Sequence, residues 1–111
     1  MSDFELNLLA IRKFIDWDDI ETKPGNPDQK FVNWADGYNW YTYNPCNKWS
    51  DGGVLIEKYG IGVRKQSNGS WVVTQPGGLH PQYVKSLLRG VVIVSLMIED
   101  QKEKADNSIS G

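Results

Sequence analysis

The chain has one cysteine and one histidine in 111 residues. A lone thiol cannot close an internal disulfide, and Cys46 has no CxxC partner. One Cys and one His also cannot supply the four ligands of a zinc site. Long apolar runs are missing too: the longest, VVIVSLMI over residues 91–98, is far too short to span a bilayer. The N-terminus, MSDFELNLLAIRK, lacks the basic region, long apolar core and small-residue cleavage site of a secretion signal, so a cytoplasmic location is expected. Basic excess is absent as well. The formal charge of −2 argues against nonspecific attraction to nucleic-acid backbones. No Lys-Ser/Thr pair follows the glycines of GIGVRK, which argues against a P-loop.

Aromatic side chains, in contrast, are plentiful. Five Trp, five Tyr and three Phe suit a core and a binding surface equally well. Charge is unevenly spread: residues 1–30 hold seven acids against four bases, whereas residues 48–89 hold six bases against Asp51 and Glu57. A locally basic half could meet an anionic ligand, although a solvated mixed surface is the plainer account.

Patterning divides the chain into seven elements. Phe4, Leu8, Ile11 and Ile15 recur at helical spacing, with Ser2 or Asp3 placed to cap the helix start. Residues 16–30, acidic and then rich in Pro, Gly and Asn, read as a connector. KFVNWADGYNWYTYN predicts a hairpin turning at Asp36-Gly37. That turn puts Phe31, Asn33, Ala35, Tyr38, Trp40 and Thr42 on one face, and Val32, Trp34, Asn39, Tyr41 and Tyr43 on the other. Both faces carry aromatics, so cover on both sides is expected, most simply from the chain's own helices. A short helix over about residues 51–59 follows, with Ser50 as N-cap and Gly60 past its end. A second hairpin turns through a four-residue loop, Gln66–Gly69. It places Ile61, Val63 and Val72 on one face and Arg64 with Trp71 on the other.

The last element carries Val84, Leu87, Leu88, Val91, Val94, Ser95 and Ile98 at helical spacing, although its β-branched residues leave a strand at 91–98 open. As a helix it is apolar almost all round, which predicts a homo-oligomer through residues 84–98. The order α-β-β-α-β-β-α gives an α+β domain over residues 1–100. It would have an antiparallel sheet of about four strands packed by helices, and a polar tail at 101–111.

Catalysis finds little support. A Cys46–His80 dyad would need an orienting group, and a small buried thiol with a loop imidazole is the simpler reading, so a Cys46-dependent hydrolase is a distant alternative. Asp16, Asp18, Asp19 and Glu21 lack the loop of a calcium hand and read as a solvated helix end. No metal or cofactor is implied.

Binding is better motivated. The start of the 51–59 helix, at Ser50, offers free N–H groups beside Lys48, with Gly52 and Gly53 clearing space for a phosphate or carboxylate. Trp49, Tyr43 and Tyr41 could stack on a ring, Asn44 lies next to them, and Arg64 and Arg89 could add charge. The same residues also fit a purely structural use. Ser50 and Asp51 could cap the amides, Trp49 could staple the helix, and the glycines could permit close packing.

The stretch YNPCNKWSDGGVLIEKYGI also carries a family resemblance. Tyr43, Pro45, Trp49, Gly52, Gly53, Ile56, Glu57, Gly60 and Ile61, followed by SWVV and LLRGVVIVSLMIED, resemble the NinX-like small proteins of tailed phages and prophages. The likeness covers about residues 38–100. It implies an accessory phage protein of unknown function in the bacterial cytoplasm, of the kind that modulates host or defence pathways. The leading expectation is a non-enzymatic, homo-oligomeric protein that sequesters a small anionic, nucleotide-like ligand. Its rival is an inhibitor that docks on a host or defence protein through the aromatic hairpin or the acidic N-terminal region.

Overall fold

A computed structural model describes residues 1–14, 21–22 and 29–110. Ile15, the acidic residues Asp16, Asp18 and Asp19, the side chain of Glu21 and the turn signals at Pro24-Gly25 and Asn26-Pro27 lie outside them. The described elements are α1 (Asp3–Phe14), β1 (Glu21–Thr22), β2 (Val32–Ala35) and β3 (Trp40–Tyr43). After them come α2 (Trp49–Gly52), α3 (Val54–Tyr59), β4 (Gly62–Lys65), β5 (Trp71–Gln75), β6 (Leu79–Val84) and α4 (Leu87–Ser110).

The domain is α+β, as expected, but its strands form two antiparallel three-stranded sheets, β1-β2-β3 and β4-β5-β6, rather than one sheet of four. Glu21–Thr22, inside the expected connector, pairs with the edge of β2. Residues 79–84, read as the approach to the last helix, form β6. Pro81 hid that strand, because proline removes a ladder donor. An edge position beside the irregularity at Val73/Gln75 tolerates the loss.

In the first hairpin the pairs Ala35↔Trp40 and Trp34↔Tyr41 centre the turn on Gly37-Tyr38, one position later than expected. Gly37 takes φ +95°. Moving the turn by one residue changes both partners together, so the faces stay sorted as the sequence suggested. Val32, Trp34 and Tyr43 enter the core. The other face is not covered as expected: Phe31 and Trp40 remain partly exposed, and Tyr38 at the tip is 93% exposed.

The second hairpin differs more. Gly69, at φ +87°, donates its N–H to Gln66 C=O, and Gln66 N–H reaches Ser70 C=O at 2.8 Å, so the loop has three residues. One residue fewer flips the register. Arg64 now pairs with Val72, Val63 with Val73 and Lys65 with Trp71. The expected grouping of Val63 with Val72, and of Arg64 with Trp71, is therefore corrected.

Helix α4 is the spine of the domain. It packs against α1, α2, α3, β5 and β6, and Val91, Val92, Val94 and Ser95 are fully buried. Glycine at position 90 lets α4 approach its sheet, since a Cβ there would lie 2.5 Å from Val84 Cγ2 and 3.0 Å from Val73 Cγ2. Residues 91–98 are helix, and most of their apolar surface is covered within the chain.

A polar side chain joins the other layer to this spine. Asn7 of α1 is fully buried. Its Nδ2 donates to Lys30 C=O at 2.5 Å and to Asn44 Oδ1 at 2.9 Å, while its Oδ1 accepts the Cys46 N–H at 3.2 Å. One amide thus holds α1 to the segments entering β2 and leaving β3. Asn7→Ala should destabilise the domain by about 3 kcal/mol, because buried partners lose their hydrogen bonds. Urea denaturation checks this, and a loss within experimental error would refute it.

Candidate functional site

The Tyr43–Ile61 stretch is built as a clamp. Asn44 C=O accepts the Asn47 and Lys48 N–H groups, closing a turn. Trp49–Gly52 follows as a single helical turn, and α3 starts again after Gly53. The expected helix at 51–59 is thus two short pieces. Ser50 does not cap it. Lys48, in an extended conformation, occupies the N-cap and gives no side-chain bond, and Asp51 turns its carboxylate onto the Asn44 N–H at 3.0 Å. The C-terminal expectation fares better: Gly60 takes φ +64°, and Ile61 N–H returns to Ile56 C=O at 3.0 Å, a Schellman closure.

The two glycines have different neighbours. A Cβ on Gly52 would sit 2.2 Å from Pro45 O, so glycine lets the helical turn rest on the loop before it. A Cβ on Gly53 would sit 2.8 Å from Trp49 Cε2. The indole lies across that glycine yet stays 61% exposed. The diglycine therefore serves packing at one residue and an indole shelf at the other.

The ten expected site residues divide into several groups. Asn44, Lys48, Trp49, Ser50, Gly52 and Gly53 share one corner, where the N–H groups of Trp49 and Ser50 have no acceptor among the described residues. Tyr43 is buried in the core, and burial first, then the Asp51 charge, pushes its phenol well above the usual range. Tyr41 stacks on Trp34 with centroids 4.8 Å apart and hydrogen-bonds Asp36 at 3.2 Å. Arg89 donates to Asp3 Oδ1 at 2.5 Å and to Met1 C=O. Arg64 sits on β4, lining an open groove of about 420 Å³ that no residue of 43–53 lines. The ring and charge partners thus lie away from the Trp49 corner.

Two residues that matter were not foreseen. Asn7 was hidden because its partners lie 23 to 39 residues away in sequence. Asp36 looked only like a turn residue. Its carboxylate accepts the Tyr38 and Asn39 N–H groups, both at 2.8 Å, and the Tyr41 hydroxyl, which fixes the hairpin tip. These bonds, that from Asn39 first, hold the Asp36 carboxyl below its ordinary 3.8. A depressed value means that the lock is complete above 3.8 and is lost as pH falls through the lower folded value. The Tyr38 and Asn39 amide shifts should therefore titrate together with a midpoint below 3.8 in NMR, and a midpoint at or above it would refute the lock.

Cys46 is 2% exposed, and burial first, then the Asp3 charge, pushes its thiol up to about 12 against a smaller pull from Arg89. The thiolate needed for nucleophilic chemistry is thus absent near neutral pH. His80 is exposed near the start of β6 at φ +49°, on a different element. Native protein at pH 8 should resist a thiol reagent that labels the urea-unfolded chain completely; equal labelling rates would overturn this reading. Among the described residues no three His, Cys, Asp or Glu side chains gather as metal ligands, and no helix is long and apolar enough to cross a membrane.

These features define a small α+β protein with one compact clamp and several exposed aromatics. A family model described as Bacteriophage P22, NinX matches residues 1–89, and the chain belongs to that family. The match takes in α1 and the first hairpin, which lie ahead of the stretch that first suggested it. No curated protein and no solved structure matches the chain.

Proposed function

We propose that this NinX-family protein is a non-enzymatic binding protein that docks its aromatic hairpin on a host or defence protein. The observation that carries this reading is the Asp36-locked tip. It holds Tyr38 out at 93% exposure beside the partly exposed Trp40, while Phe31 is exposed at the far end of the same hairpin. A turn whose backbone is fixed before contact loses little backbone entropy on binding, and exposed aromatics are what protein partners use as anchors. The surface is a flat sheet face, which suits a macromolecule better than a small ligand.

Capture of a small anion at the Trp49 corner is the second reading, favoured by the open Trp49 and Ser50 amides beside Lys48. Its weakness is that Arg89 is bound to Asp3 and Arg64 lines a different groove. Self-association through α4 would use a mostly apolar groove of about 270 Å³ formed by Met1, Leu6, Leu9, Ile93, Leu96 and Met97, with Asp100 also lining it. Sedimentation of the wild type as a monomer at micromolar concentration removes it.

The hairpin reading is tested by affinity capture from infected cells, then reconstitution with the purified partner. A stoichiometric complex should form with wild type and Trp49→Ala and be lost with Tyr38→Ala and Trp40→Ala, all with native circular dichroism. Binding that survives both hairpin changes but fails with Trp49→Ala would reject it.

A further inference from the structure

From Lys58 to Ile98 the chain contains Lys58, Arg64, Lys65, Lys85 and Arg89 and not one carboxylate. The whole β4-β5-β6 sheet falls in this stretch. Three of the five cations are engaged on protein surfaces. Arg89 is held by Asp3, Lys58 Nζ lies 5.3 Å from the Tyr59 ring, and Lys65 Nζ lies 5.8 Å from the Trp71 ring. Arg64 has no ion pair or hydrogen bond among the described residues.

The register shows what surrounds it. Arg64 pairs with Val72, and Val72 pairs with Tyr83. The three side chains make one row across the outer face, opposite the face where Val73 and Val84 meet α4. Neighbouring strands are about 4.8 Å apart, so the Arg64 and Tyr83 backbones stand about 10 Å apart across an apolar floor. Val72, 6% exposed, is that floor, and Tyr83 is 68% exposed. In the next row Gly62 pairs with Thr74, and a Cβ on Gly62 would lie 2.6 Å from Thr74 Oγ1. Glycine leaves the hydroxyl uncovered. Together with Gly78 and Pro81 these residues line the 420 Å³ groove.

We propose that this groove binds a mononucleotide-sized ligand, an anionic phosphate joined to a flat ring. The guanidinium of Arg64 is suited to a phosphate, the Tyr83 ring to stacking on a base, and the Thr74 hydroxyl to a hydrogen bond with the sugar or phosphate between them. The volume lies in the range of small-molecule sites. A setting free of carboxylates adds no repulsion to the anion. The site is separate from both the hairpin tip and the Trp49 corner, so it stands or falls independently of the docking reading.

The test titrates the full-length protein with AMP, adenosine, inorganic phosphate and an oligothymidine about ten nucleotides long, by calorimetry and by amide shift mapping. AMP should bind more tightly than adenosine or phosphate and shift amides of residues 62–64, 72–74 and 83. Arg64→Ala and Tyr83→Ala, both exposed positions, should each weaken AMP by about tenfold or more, with Arg64→Lys recovering part of the loss. Trp49→Ala and Tyr38→Ala should leave it unchanged. No AMP binding at millimolar concentration overturns the proposal, as do shifts mapping elsewhere or loss on Trp49→Ala. Phosphate matching AMP overturns the ring component. Oligothymidine binding far more tightly than AMP, with a salt dependence of several phosphates, replaces the small ligand with a nucleic acid.

Discussion

The carboxamide of Asn7 is the constraint on which the rest of the structure depends. A buried amide left unsatisfied costs more than a made hydrogen bond returns, so its partners must be present together. The Lys30 carbonyl, the Asn44 side chain and the Cys46 N–H converge on it from segments far apart in sequence. Once they converge, α1 is fixed against the loop that leaves β3, and that loop is fixed in turn. Asp51 closes it on Asn44, and the Pro45 carbonyl meets the bare Cα of Gly52. The crowding of Pro, Cys, Trp and two glycines into one short stretch thus follows first from packing. Cys46 is in it because a small apolar group fits beside the amide, and its burial keeps it a thiol.

A second constraint is the separation of charge along the chain. Residues 1–57 hold ten of the fourteen acids, and the stretch from Lys58 to Ile98, which the other four acids follow, carries only bases. The Asp3–Arg89 pair, partly shielded from solvent, joins the two and brings the first turn of α1 onto the start of α4. The Lys13–Glu103 pair, with the signs reversed, ties the other end of α1 to α4 but is more exposed and contributes little. Arg89 is therefore removed from any ligand site by its structural use. Arg64, on a strand whose outer face meets no helix, is not. The same local basic excess yields a fastening at Arg89 and an open cation at Arg64, and only the fold tells those two apart.

Much of the fold could be read from periodicity, and the limits of that reading have physical causes. The Gly60 terminator and the sorting of the first hairpin's faces depend on neighbours close in sequence, so the sequence reveals them. The second hairpin depends on whether Gly69 closes a loop of three or four residues, a choice of small energy that reverses every side chain beyond it. Strand β6 was obscured by Pro81, which an edge position tolerates. At the candidate site, proximity in sequence proved a poor guide. Tyr41 and Tyr43 are two residues apart, yet one stacks on Trp34 near the surface and the other is buried in the core. Both lie on the same side of β3, and what separates them is that the core covers only the Tyr43 end of that strand.

The two sheets differ in what they can offer a partner. The first exposes aromatic side chains on a flat face and keeps its turn rigid through one carboxylate, an arrangement that gains affinity by losing little freedom. The second exposes one unpaired cation and one ring across an apolar floor, with glycine leaving a hydroxyl open, an arrangement that favours a charged ligand of limited size. Neither needs a nucleophile or a metal. The one thiol, by contrast, is buried, and the one imidazole lies on another element. The groove residues and the hairpin residues do not overlap, so a change in one surface leaves the side chains of the other in place.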